Sequence, residues 1–201
     1  METFTLVTLI VIGAYFVNAQ QQRRRIALLG SHLGHFQIEK LMENLTEGYL
    51  RCLGEDDPER REQIWRLLDT TEEKLSGQFD SFAAEFAQVG EQEARVSKLP
   101  LALPFAQQLL PGASFDLRQA FAIHARGIAG VMRNEGQRPP KAKAFMMSAE
   151  LFLMQHSCHW YCKSKTVASA RLLARHKTSY EQVLDAVSPE TRKAYGELTG
   201  Q

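Results

Sequence analysis

Residues 57–89 read DPERREQIWRLLDTTEEKLSGQFDSFAAEFAQV, and the spacing of their apolar side chains decides the fold class. Leu68, Leu75, Phe82 and Val89 recur every seven residues, and Phe79 with Phe86 adds a second row. That is the repeat of one helix face; a strand would alternate at every second position. The start of the helix is also written out. Asp57 supplies a cap, Pro58 takes the first helical position, and Glu59 and Glu62 place negative charge beside the helix N-terminus. A seam of about three heptads suits a core face within a bundle, and it is also the form that pairing in a homo-oligomer takes.

Upstream of this helix, Gly54 is a natural stop. Ile26, Leu29, Leu33, Phe36, Leu41, Leu45 and Tyr49 recur at helical intervals, and no proline precedes Pro58. The spacing predicts a juxtamembrane helix over 20–54, running on from the N-terminal segment to about Leu53. Gly30, Gly34 and Gly48 weaken its continuity.

The N-terminal segment is apolar. Phe4 to Val17 is uncharged over fourteen positions, and the nineteen residues from Met1 to Ala19 carry one charge, Glu2. Nineteen helical residues span roughly 28 Å, close to the hydrocarbon thickness of a bilayer. A cleaved signal peptide and a buried core helix are the competing readings. The first lacks a positive n-region, although Val17 and Ala19 offer small residues for cleavage. The second lacks amphipathic periodicity and sits at the extreme terminus. Arg23, Arg24 and Arg25 follow at once. They favour a transmembrane anchor over 1–19, single-pass, with the N-terminus outside and a cytoplasmic helical domain over 55–201.

Downstream, Pro100, Pro104, Pro111 and Gly112 predict a loop near 97–113. Ser114 offers a cap for the next helix, ended by Gly136 and Pro139–Pro140. The helix from Pro140 to about Lys163 is apolar nearly all round, with Phe145, Ala149, Phe152, Leu153 and Trp160 on one side and Met147, Leu151 and Met154 on the other. Such a helix belongs at the centre of its domain. Two shorter helices follow, one capped by a box from Thr178 to Glu181, the other by Ser188 and Pro189. No segment alternates convincingly, so little or no sheet is expected. The predicted architecture is all-α: an N-terminal transmembrane helix followed by a helical bundle of about five helices.

Charge is near balance, at +1 overall, but unevenly placed. Segment 55–98 holds 12 acidic and 6 basic residues, and segment 116–177 holds 3 acidic and 11 basic. Blocks of −6 and +8 in one chain are expected to attract each other within one domain. The positive charges are scattered, and no nucleic-acid partner is expected.

One constellation bears on chemistry: residues 156–162 read HSCHWYC. On a helix, Cys158, His159 and Cys162 share a face, and thiolate and imidazole are preferred zinc and redox-metal ligands. A closed site would need a fourth ligand from Cys52, His32, His35, His124 or His176. The bland reading is core packing, because cysteine packs as a small hydrophobe and a lone helical histidine is more often hydrogen-bonded. The three cysteines, Cys52, Cys158 and Cys162, form no even disulfide set and read as reduced thiols. No nucleophile, base and orienting group assemble from spacing, and Ser157 between two histidines carries no weight by itself. The sequence therefore predicts a membrane-tethered cytoplasmic interaction or adaptor protein without catalytic activity or cofactor. Its N-terminal helix would meet the membrane, its body a protein partner or a second copy. The alternative is a membrane-linked metal- or haem-binding sensor or enzyme that uses the cluster at 156–162.

Overall fold

The computed structural model describes residues 2–100 and 111–200. Helix α1 (Glu2–Leu33) is followed by α2 (Ile38–Leu53) and α3 (Pro58–Phe86). A single turn, α4 (Glu91–Ala94), leads into strand β1 (Arg95–Ser97). A 3-10 turn at Pro111–Ala113 precedes β2 (Ser114–Asp116) and α5 (Leu117–Met132). Then come α6 (Pro140–Cys162), α7 (Lys165–His176), α8 (Tyr180–Ala186) and α9 (Pro189–Thr199). The chain is all-α, a long apolar N-terminal helix leading into a helical bundle.

The caps explain where the elements start. Asp57 accepts from the backbone N–H of Glu59 at 2.9 Å with Pro58 behind it, as the sequence predicts. Ser188 accepts from Thr191 N–H at 3.2 Å to open α9. Two other caps lie one or two residues from the expected places. Asp116, not Ser114, opens α5 by accepting from Arg118 N–H, and Ser179 with Gln182 forms the capping box of α8. Ser114 is unavailable as a cap because its backbone belongs to β2.

One expectation is corrected. Segment 20–54 is not one helix: α1 ends at Leu33, where Gly34 N–H closes on Gly30 at 2.9 Å, and α2 restarts at Ile38. The break turns Ile38 into the core and sets Phe36 edge-on to Phe82 at 6.0 Å. Sheet is as scarce as expected, one two-stranded pair among the described residues. β1 and β2 pair antiparallel, with Arg95 opposite Asp116, Val96 opposite Phe115 and Ser97 opposite Ser114. Three residues are too few to show alternation. The pair is held by what it packs on: Phe115 lies edge-on to Trp160 at 5.0 Å, and Trp160 Nε1–H donates to the Ser97 carbonyl at 2.8 Å. Most of the loop near 97–113, residues 101–110, lies outside the described residues.

The heptad seam is spent inside the fold. Leu68, Leu75, Phe79, Phe82, Phe86 and Val89 are all buried, with α3 packed on α2 and α5. Phe79, Phe82 and Phe86 meet Phe121 of α5 at 6.1, 5.0 and 5.0 Å. Each such ring stabilises the fold by about 1.5–3 kcal/mol through burial, with edge-to-face geometry adding a smaller share. Helix α6 is central, touching α1, α2, α5, α7, α8 and β1, and Met147, Leu151, Leu153 and Tyr161 on it are fully buried.

Helix α1 divides into two parts. Among the described residues, Thr3–Leu33 is the one helix long and apolar enough to cross a membrane, and an eighteen-residue window of it has none of its residues buried. Its C-terminal part docks on the bundle. Arg25 donates to the carbonyls of Tyr161 at 3.2 Å and Arg95 at 3.0 Å, its guanidinium 5.2 Å from the Tyr161 ring centre. Lys163 Nζ donates to Gln22 at 2.9 Å, Leu29 is buried, and His32 meets Glu85 of α3 at 2.6 Å. Arg23 and Arg24 stay exposed.

Candidate functional site

Helix α2 is amphipathic. Leu41, Leu45, Tyr49 and Cys52 turn inward, while Glu39, Glu43 and Glu47 recur every fourth residue on the outer side. At its C-terminal end two large apolar side chains also face outward, Leu50 at 73% and Leu53 at 42% exposed. Across from α2, helix α6 presents Phe145, 61% exposed, and half-buried Phe152. Between these helices and the end of α7 runs a groove of about 1050 Å³. Its floor is apolar, with Met42, Ala149 and Val183; Glu39, Glu43 and Glu47, with Lys40 among them, line the α2 side, and Arg175 and Lys177 the other. His176 stacks on Phe152 at 3.8 Å and its Nε2–H donates to Gln155 Oε1 at 2.9 Å, which fixes the basic wall against α6. Exposed aromatic and aliphatic groups gathered in one concavity make the groove the candidate site.

Tyr49 ties the groove to the core. Its hydroxyl donates to Glu72 at 2.5 Å, and Lys143 Nζ meets Glu72 at 2.6 Å and Asp69 at 2.8 Å. Burial holds the Glu72 carboxyl above its ordinary range, while the Lys143 and Tyr49 contacts pull it back. This is the ion pair that joins the acidic and basic blocks among the described residues; Arg66–Glu62, Arg118–Asp116 and Arg133–Glu135 each lie within a block.

A polar chain crosses the core beneath α6. Ser157 Oγ is 2.9 Å from His124 Nε2, 2.9 Å from the Tyr195 hydroxyl and 3.1 Å from the Leu153 carbonyl. The carbonyl can only accept, so Ser157 gives its proton there and accepts from His124 and Tyr195. A catalytic serine needs the reverse polarity, with the imidazole taking its proton. All three side chains are fully buried, so no substrate meets them. The serine flanked by histidines in the sequence is thus bonded to a different histidine and serves packing. Glu150 is buried nearby and accepts from Ser188 N–H at 3.0 Å and Ser188 Oγ at 2.8 Å, clamping the start of α9 to α6. Gly127 makes room for this clamp: a Cβ there would sit 2.3 Å from Thr191 Oγ1 and 2.5 Å from Glu150 Oε2.

Cys158, His159 and Cys162 take separate partners. Cys158 Sγ faces Met154 Sδ at 3.9 Å, and Arg171 Nη1 lies 3.2 Å from His159 Nδ1. Burial pushes the Cys162 thiol up to about 11 and the Cys158 thiol higher still, so both stay protonated at neutral pH. Among the described residues, no three His, Cys, Asp or Glu side chains are grouped so as to hold a metal ion. The other ligand candidates are dispersed. His124 is in the buried chain, His176 on Gln155, His32 and His35 on Glu85, and Cys52 against the Arg61 carbonyl.

Comparison with protein-family models, curated proteins and solved structures finds no match. The site is therefore read from its own chemistry. The groove was hidden in the sequence because its residues come from three separate segments. The signals that mark it are Leu50 and Leu53 on the outer side of α2, and the Glu39, Glu43, Glu47 row beside them.

Proposed function

We propose that this chain is a membrane-tethered interaction protein whose α2–α6–α7 groove seats an amphipathic helix of a protein partner. The observation that carries the reading is the groove itself, which is large, apolar-floored and walled by opposite charges. A helix with an apolar ridge fits such a floor. Basic side chains along one of its edges would meet Glu39, Glu43 and Glu47, and acidic ones along the other would meet Arg175 and Lys177. That complementarity sets orientation and register more than it adds affinity. The exposed apolar part of α1 supports the tether, and the outward Arg23 and Arg24 support a cytoplasmic body by the positive-inside rule.

The test is photo-crosslinking in intact cells from a benzoylphenylalanine placed at Phe145, with the same probe at Leu67 on α3 as control. Leu67 is as exposed as Phe145 but lies outside the groove. The expected result is a discrete adduct from Phe145, lost when Glu43 and Glu47 are changed to lysine, and none from Leu67. Equal labelling from both positions, or none from Phe145, refutes the groove as the docking surface.

A further inference from the structure

Beside the groove, between the C-terminal half of α6 and α7, lies a second and smaller concavity of about 460 Å³. His156, His159, Arg171 and Arg175 line it together with apolar Ala168 and Leu172. Arg171 and Arg175 stand one helical turn apart on α7, both exposed, and no ion pair to a carboxylate engages either among the described residues. The hydrogen-bonding polarity of the cleft is one-sided. Arg171 can only donate, so His159 Nδ1 accepts from it at 3.2 Å and the His159 proton sits on Nε2. The Gln155 side-chain oxygen, which also lines the cleft, accepts from His176 at 2.9 Å.

Deeper in, His156 is 1% exposed and its Nε2 lies 3.1 Å from Ser169 Oγ, while its Nδ1 has no hydrogen-bond partner. Where the Ser169 hydroxyl donates to Nε2, Nδ1 carries the N–H; in either tautomer Nδ1 is a buried polar atom without a protein partner. The field is positive as well. Burial first, then Arg171, Arg175 and His176, holds His159 below its ordinary range.

We infer that this α6–α7 cleft binds a phosphate-type oxyanion, held by the guanidinium forks of Arg171 and Arg175 and by N–H groups of His156 and His159. Two guanidinium forks can each pair bidentately with a phosphate, whose three or four oxygens leave further acceptors for the imidazole N–H groups. Ala168 and Leu172 supply an apolar wall for whatever the phosphate is attached to. His159 lies two residues before Tyr161, whose carbonyl holds Arg25 of α1. The cleft is therefore near the end of the bundle from which α1 leaves, where a lipid headgroup and a soluble phosphate both have access. Arg175 also stands in the basic wall of the groove, so the two sites share that residue, whereas Arg171 belongs to the cleft alone.

The test uses the full chain in maltoside micelles, titrated with inorganic phosphate at constant ionic strength, and follows the imidazole resonances of His156 and His159. A saturable shift is expected at both. It should weaken roughly tenfold or more in the Arg171→Gln, Arg175→Gln double variant. Both arginines are exposed, so the fold should persist, which an unchanged resonance of buried His124 would report. A second arm places the chain in phosphatidylcholine nanodiscs with and without phosphatidic acid. A His159 shift on adding phosphatidic acid, with no free phosphate present, identifies a lipid phosphomonoester as ligand; a shift with inorganic phosphate identifies a soluble one. No saturable shift in either arm, or undiminished binding by the double variant, overturns the inference.

Discussion

His124 and His156 are the residues on which the acid stability of the fold turns. Burial pushes both down to about 3, with neighbouring positive charge adding to the effect. Unfolded, each returns to about 6.5. Between those values the unfolded chain binds a proton at each site that the folded chain does not. Stability is therefore fully present above about pH 6.5 and falls as pH drops below it, by about 1.4 kcal/mol per pH unit for each histidine. Glu72 and Glu150 are pushed upward by burial and work with the opposite sign above their unfolded value, so the wild-type slope mixes both. A difference measurement separates them. In His124→Gln, urea unfolding of the full chain in maltoside micelles should lose about 1.4 kcal/mol per pH unit of slope between pH 5 and 6, relative to wild type. Equal slopes in the two proteins would show that His124 is protonated in the fold.

At the scale of elements, α6 organises the bundle because it is apolar on nearly every side. The sequence places Phe145 with Phe152 and Leu153 on one side of it, yet the structure leaves Phe145 exposed and Leu153 fully buried. The difference lies in what faces each turn. Phe145 borders the groove between α6 and α2, whereas Leu153 is packed in the core of the bundle. Leu153→Ala should therefore destabilise the full chain by roughly 2–5 kcal/mol. Phe145→Ala should leave thermal stability within about 0.5 kcal/mol of wild type, as exposed substitutions do. Thermal unfolding of both variants checks the contrast. A comparable loss at Phe145 would place it in the core and close the groove.

For the whole molecule, the decisive feature is that one end of α1 is packed and the other bare. Arg25 belongs to the packed part through two backbone carbonyls and the Tyr161 ring, which leaves Arg23 and Arg24 as the outward charges at the foot of the apolar stretch. A cytoplasmic reporter fused after Gln201 should be active and a periplasmic one silent. Neutral residues at Arg23 and Arg24 should loosen that orientation without unfolding the body, whereas Arg25→Gln should also weaken the seat of α1. A soluble, shortened protein beginning near Gln20 would identify a cleaved signal and remove the tether.

The sequence by itself determined the all-α class and the starts of α3 and α9. Heptads, the Asp57–Pro58 start and the Ser188–Pro189 start are local devices, and they need no neighbour to be read. It also determined that the N-terminal segment is apolar enough to cross a bilayer, since that rests on length and composition. Tertiary structure decided the rest. The break at Gly34 follows from the packing of Phe36 and Ile38 on α3, and the β1–β2 pair from the seat Trp160 provides. Ser157 paired with His124 from another helix, not with the histidines beside it, because residues adjacent on a helix point apart while packed helices bring distant ones together. The same reason separates Cys158 and His159, and it gathers Arg171, Arg175, His156 and His159 into one cleft. Spacing along a chain fixes which residues share a helix face, but only packing fixes what that face meets.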